Sequence, residues 1–105
     1  MTFAEIIEEQ TGYHCITSFG MDFGIAERFG VNAILDTYRQ FFNGAKNNVK
    51  YFTELVLVLN WKICQWYERN EVYAKLYDQL WREADEYGCE HFTGEDAEYY
   101  YKTLD

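Results

Sequence analysis

The chain contains no proline and has few basic residues, cysteines or histidines. Its 105 residues include 9 Lys and Arg against 18 Asp and Glu, which gives a net charge of -9. DNA, RNA and anionic membranes are bound through basic surfaces, so this composition argues against direct binding to any of them. No apolar run approaches the roughly 20 residues that a membrane-spanning helix needs, which favours a soluble protein.

Cysteine usage and the first residues favour a cytoplasmic location. Cys15, Cys64 and Cys89 are an odd number with no regular spacing, unlike the disulfide framework of a small secreted domain. Cys64 lies in an apolar helical pattern and is predicted to be a core residue. The N-terminus carries acidic residues instead of the basic region that begins a secretory signal.

Motifs for catalysis or metal binding are also scarce. The chain has no Gly-rich phosphate loop, Cys-x-x-Cys pair, Gly-x-Ser-x-Gly elbow or Glu-x-x-His ligand pair. A zinc site built from His14, Cys15, Cys89 and His91 has suitable ligand types, but their spacing matches no common zinc signature. We therefore predict a non-enzymatic protein with no catalytic residues, no cofactor and no metal.

The chain does contain patterns of helical periodicity. Its 49% hydrophobic residues are enough to form the core of one domain over residues 1–105. Thr2 and Glu5 form a capping box that predicts a first helix, which Gly12 ends. An extended connector over 13–19 and a short helix capped by Asp22 are predicted next.

Residues 31–45 follow an amphipathic helical pattern, and residues 47–69 predict a central helix. That central helix is apolar on all sides between Leu55 and Leu59, which indicates burial. Asn70 is predicted to cap the following helix, and Gly88 to end it. On its outer face, acid-first pairs at i and i+4 predict ion pairs, namely Glu71 with Lys75 and Asp78 with Arg82.

A final short helix is predicted over 95–103. Together these patterns predict an all-α, compact single-domain bundle of about five helices. The central helix is expected to be buried and to form a C-terminal antiparallel hairpin with the helix that follows it.

The acid excess is concentrated in the last third of the chain. Residues 71–105 hold ten acids and three bases, whereas residues 1–70 hold eight acids and six bases. Seven acids and no Lys or Arg lie between Glu83 and Glu98. One interpretation is a solvated face that keeps a small domain soluble. The other is a surface that occupies a basic cleft in competition with nucleic acid.

Tyrosine favours the second interpretation. Tyr99, Tyr100 and Tyr101 span about 200° of a helix, so they cannot all face one core. Tyr99 is expected to be exposed beside the carboxylates, where it could contact Arg, or else to fold back over a neighbouring helix. The predicted partner-binding residues are therefore Glu83, Asp85, Glu86, Glu90, Glu95, Asp96, Glu98 and Tyr99.

Three stretches carry a resemblance, namely Asp22 to Gly30 (DFGIAERFG), Thr53 to Lys62 (TELVLVLNWK) and Leu80 to Asp85 (LWREAD). They resemble a family of small uncharacterised helical proteins from gut bacteria, their phages and mobile elements. The similarity covers residues 22–105, and its motifs are packing patterns without known chemistry. In size, charge and implied origin the chain is similar to anti-CRISPR proteins, several of which mimic DNA to block a nuclease.

The leading hypothesis is a small acidic inhibitor of anti-CRISPR type that occupies the basic nucleic-acid-binding cleft of a partner nuclease. A second hypothesis is an accessory helical domain that acts by homo-oligomerisation or by helix docking. It is motivated by 8 Phe, 3 Trp and 10 Tyr, more than a small core is expected to bury. A third is a nucleotide-sequestering protein, for which Arg28, Arg39, Lys46 and Lys50 are the local supply of cations.

Overall fold

Short turns separate the helices of this chain, and a computed structural model describes them over residues 19–104. No strand occurs in that range, so the predicted all-α class is confirmed. The predicted first helix and most of the extended connector lie outside the described residues. The helices are α1 (Phe19–Glu27), α2 (Val31–Ala45), α3 (Val49–Trp66), α4 (Glu71–His91) and α5 (Gly94–Leu104).

The chain divides into two compact units, Met1–Tyr38 and Arg39–Asp105, and the boundary falls within α2. The single domain over residues 1–105 stays a prediction. Among the described helices, none combines the length and the apolar character that crossing a bilayer requires.

In the first unit, α1 is apolar on two sides. Phe19, Phe23 and Ala26 are buried on one side, at intervals of four and three residues. Met21 and Ile25 are exposed on the other side. The predicted cap at Asp22 is wrong, because Asp22 lies within the helix, whose described part begins at Phe19.

Gly30 ends this region as expected of a glycine after a helix. Its φ of 108° lies in the left-handed region, which a residue with a Cβ rarely adopts. The Gly30 amide donates to the carbonyl oxygen of Ala26 at 3.1 Å, which closes the last turn of the α1 segment. Phe29, just before it, is 78% exposed.

In the second unit, α3 is the buried helix that the sequence predicts. Asn48 caps it, because its side-chain oxygen accepts hydrogen bonds from the backbone amides of Lys50 at 3.1 Å and Tyr51 at 3.3 Å. The helix packs against both α4 and α5. Its buried apolar side chains are Phe52, Leu55, Val56, Val58 and Leu59.

Helices α3 and α4 form the predicted antiparallel hairpin. The rings of Trp66 and Tyr73 lie 5.3 Å apart beside the turn, while Phe52 and Tyr87, at the far ends of the two helices, lie 5.4 Å apart. The turn comprises residues 67–70, longer than the single residue expected from sequence. Asn70 caps α4 as predicted, since its side chain accepts from the Tyr73 amide at 3.2 Å.

Gly88 corrects the prediction for the end of α4. The helix continues through it to His91, and Phe92 is the capping residue. Gly88 is buried instead against α5, where a Cβ would lie 2.7 Å from Cζ of Tyr100. The glycine is therefore needed for the close approach of the Tyr100 ring to the α4 backbone, rather than for ending the helix.

Candidate functional site: an acidic surface on two helices

Six of the predicted partner-binding acids are exposed, and they occupy two helices. Glu83, Glu86 and Glu90 recur at intervals of three and four residues, so they share one side of α4. The others belong to the first half of α5. We call these six residues the acidic surface: Glu83, Glu86, Glu90, Glu95, Asp96 and Glu98.

The ion pairs of α4 lie closer to its N-terminal end than the acidic surface does. Nζ of Lys75 is 2.8 Å from a carboxylate oxygen of Glu71, and Nε of Arg82 is 2.8 Å from one of Asp78. Both predicted pairs are thereby confirmed. The basic partner in the Glu71–Lys75 pair lowers the pKa of the Glu71 carboxyl. The acidic surface follows these pairs in a stretch of sequence that carries no Lys or Arg.

Asp85 is not fully exposed, and it contacts Tyr100 of α5. It is half-buried, and one of its carboxylate oxygens accepts a hydrogen bond from the Tyr100 hydroxyl at 2.7 Å. Tyr100 is completely buried, and its burial together with the nearby Asp85 carboxylate raises the pKa of its phenol. Asp85 therefore positions α5 against α4.

Tyr99 is not fully exposed, although exposure beside the carboxylates was one of the two expectations for it. Tyr99 is half-buried, its hydroxyl oxygen is out of contact with solvent, and this burial raises the pKa of its phenol. Tyr101 is the exposed member, with 48% of its surface accessible. The sequence shows that three consecutive tyrosines must diverge, but it does not show how α5 is rotated. The Asp85–Tyr100 contact fixes that rotation.

Cys89 and Tyr101 lie beside each other near the acidic surface. A hydrogen bond with the side chain of Cys89, together with the electrostatic effect of that side chain, raises the pKa of the Tyr101 phenol. The Cys89 sulfur also lies 3.9 Å from a carboxylate oxygen of Asp85. The thiol of Cys89 is exposed, and so is that of Cys64, which corrects the prediction that Cys64 is a core residue.

Two of the four residues considered for zinc, His14 and Cys15, lie outside the described residues. His91 is exposed, stacks on Tyr87 with ring centroids 3.8 Å apart, and has Nδ1 3.0 Å from the Tyr87 carbonyl oxygen. Over residues 19–104, no group of three or more His, Cys, Asp or Glu side chains is arranged to hold a metal ion.

An aromatic cluster supports the acidic surface from inside. Phe52 of α3 contacts Tyr87, Phe92 and Tyr100, with ring centroids 5.3–6.2 Å apart. Phe42 joins it at 4.9 Å from Tyr87. Much of the aromatic content of the second unit is thus used in packing, which places the end of α4 and α5 against α3.

Comparison with protein-family models, curated proteins and solved structures finds no match to the chain. The roles of individual residues therefore follow from the geometry alone. Of the eight predicted contact residues, six are available at the surface, while Asp85 and Tyr99 are partly buried. Tyr101 is the exposed aromatic residue that the sequence prediction missed.

Proposed function

We propose that this chain is a small acidic, non-enzymatic inhibitor of anti-CRISPR type, which occupies the basic nucleic-acid-binding cleft of a partner nuclease. The observation that carries the proposal is the acidic surface itself. Six exposed carboxylates follow one another within 16 residues of sequence, on two helices held by buried contacts. Such a surface presents to a partner the kind of charge that a nucleic-acid backbone presents.

A solubility role alone needs acids but no particular arrangement of them. Here the acids are concentrated at one end of α4 and in the adjoining α5, whereas the first part of α4 carries mixed ion pairs. Glu95 and Asp96 also lie in the first turn of α5, where their negative charge stabilises the helix through its dipole. Since both are exposed, this local effect leaves them accessible to a partner.

Tyr101 replaces Tyr99 as the aromatic contact in this proposal. An exposed phenol close to carboxylates suits Arg, which can stack on the ring while its guanidinium binds the neighbouring acids. Charge complementarity would speed association, and added salt would weaken the complex because the contacts are solvent-exposed.

The proposal is tested by adding the purified chain to a panel of guide-loaded CRISPR nucleases and measuring target-DNA binding by gel shift. We expect DNA binding to be blocked when the chain is added before the DNA, and we expect the block to weaken as salt is raised. A variant carrying Glu95→Gln, Asp96→Asn and Glu98→Gln should inhibit about tenfold less or weaker still.

A matched control separates local charge from total charge. Gln40→Lys, Asn43→Lys and Asn60→Lys change exposed neutral residues and alter the net charge by the same three units. This control should inhibit nearly as well as the unmodified chain. Equal loss in both variants would mean that only net charge matters, and unchanged inhibition after neutralising α5 would remove the acidic surface from the mechanism.

A further inference from the structure

The turn between α3 and α4 carries two grooves, which share no residue with the acidic surface. On α4 the nearest residues of the two features, Asp78 and Glu83, are five positions apart, or about 8 Å at 1.5 Å per residue. The larger groove encloses about 640 Å³ between the end of α3 and the first turns of α4, with Ile63, Tyr67 and Ala74 among its lining residues. The smaller one, of about 450 Å³, is lined by Trp61, Cys64 and Tyr67 among others. Tyr67 is common to both grooves.

The side chains at these grooves are those that dominate binding energies in protein interfaces. Tyr67 is 72% exposed and Trp61 is 39% exposed, and Arg69 lines both grooves. Tyr, Trp and Arg are the residue types most enriched at interface hot spots. Their exposure leaves an apolar surface at the hairpin turn that the described helices do not cover.

The shape of the larger groove favours a helical occupant. It extends along α4 from Glu71 to Asp78, which is about 10 Å or two helical turns. Besides turn residues 67–69 it is lined by α3 and α4, and residues 19–104 contain no strand edge that an extended peptide could join. A helix that docks in such a groove inserts side chains at positions i, i+3 or i+4, and i+7.

The charges determine what kind of helix fits. Three carboxylates line the larger groove, those of Glu68, Glu71 and Asp78, against the cations of Arg69 and Lys75. Ion pairs between exposed side chains contribute little, so a partner's Lys or Arg can share Glu71 and Asp78 with their present cations. The whole chain carries a charge of -9, which opposes a second copy and attracts a basic partner.

We infer that the hairpin turn is a second interaction surface, which binds an amphipathic basic helix of another protein. Apolar residues of that helix pack on Tyr67, Trp61 and Ile63, and its Lys or Arg residues face Glu68 and the carboxylates of α4. This surface is separate from the acidic surface, so the inference does not depend on the proposed inhibitory function.

The test uses two synthetic 18-residue peptides with the same helical Leu stripe, one with Lys and one with Glu at the polar positions. Their binding is measured by fluorescence anisotropy without any nuclease or nucleic acid. We expect the Lys peptide to bind and the Glu peptide to bind at least tenfold more weakly. Tyr67→Ala and Trp61→Ala should each weaken binding of the Lys peptide about tenfold or more.

Phe29→Ala is the matched control, because Phe29 is an exposed aromatic residue that lines neither groove, and it should leave peptide affinity unchanged. Circular dichroism establishes that each variant keeps its helical content. Three results would overturn the inference. They are unchanged affinity in Tyr67→Ala and Trp61→Ala, equal affinity for both peptides, or a dimer in light scattering that Tyr67→Ala dissociates.

Discussion

Tyr100 connects α5 to α4 through two contacts, one with Gly88 and one with Asp85. Its ring occupies the space that a Cβ at Gly88 would fill, and its hydroxyl donates to Asp85 at 2.7 Å. Neither contact is apparent from helical periodicity, because each joins residues 12 or 15 positions apart in sequence. The orientation of the acidic surface on α5 depends on both.

Gly88→Ala should destabilise the fold, because the new methyl group would overlap the Tyr100 ring. We expect the free energy of unfolding to fall by about 1–3 kcal/mol, the usual cost of overpacking a buried site. Urea denaturation followed by circular dichroism measures it.

Gly44→Ala is the control for that substitution. Gly44 is also helical, but a Cβ there meets no atom within 4 Å. This variant should gain about 0.5–1 kcal/mol from the better helix propensity of alanine. A loss of similar size at both positions would show that the Tyr100 ring is not the cause.

Tyr100→Phe removes the hydroxyl and should cost about 1–2 kcal/mol at neutral pH, since a hydrogen bond to a carboxylate is lost. The raised pKa of Tyr100 adds a pH dependence. Above a pH of about 10 the phenol ionises in the unfolded chain but stays protonated in the folded one. The unfolded state then binds fewer protons, so stability falls as the pH rises.

The difference in unfolding free energy between the unmodified chain and Tyr100→Phe should therefore shrink above a pH of about 10, by up to about 1.4 kcal/mol per pH unit. Denaturation series between neutral pH and about pH 11 measure this difference. A constant difference across that range would contradict a protected, buried phenol.

At the scale of elements, α4 depends on its cap at Asn70. Asn70→Ala leaves the Tyr73 amide without its side-chain acceptor and should cost about 1 kcal/mol. Asn70→Asp keeps an acceptor and adds a negative charge at the start of the helix, so it should be close to neutral. Thermal unfolding compares the two variants, and an equal loss in both would argue against capping.

Local rules account for much of what the sequence predicts correctly. The Asn70 cap and the two ion pairs of α4 involve residues three or four apart. The burial of α3 follows from its run of apolar residues between Leu55 and Leu59. Rotation and packing between helices escape such rules. Cys64 is exposed although it lies in an apolar pattern, because a pattern that continues around a helix does not show which side its neighbours cover.

The sequence predicts which acids belong to the candidate site, but it does not predict which side chains of the site are exposed. The acidic stretch is visible in the sequence because charge needs no tertiary information. The roles of Asp85, Tyr99 and Tyr101 are not visible there, because they depend on how α5 is rotated against α4. The same limit applies to Gly88, whose spacing after the apolar pattern is typical of a helix end.

At the scale of the whole molecule, negative charge opposes association through exposed apolar side chains. Met21 and Ile25 of α1 and Phe29 just after it are each at least 50% exposed, and the sequence pI is about 4.6. We expect light scattering to rise as the pH approaches that value, because repulsion between copies disappears there.

Phe29→Ser should reduce this acid-induced association, because it removes an apolar ring that is 78% exposed just after α1. Tyr101→Ser, at an aromatic residue of α5 that is 48% exposed, is the comparison variant. Scattering that is equally high at neutral and acidic pH would show that charge does not limit association.

Burial also differs between the two helices that carry the acidic surface. Among the described residues of α5, Tyr100 alone is buried, whereas α4 buries six. Elements with few buried contacts open locally before the rest of a protein unfolds. Amide hydrogens of α5 should consequently exchange with deuterium faster than those of α4. The half of the acidic surface that α5 carries would then separate from α4 when α5 opens. A partner that binds this half would slow amide exchange only in α5, the last eleven residues of the described chain.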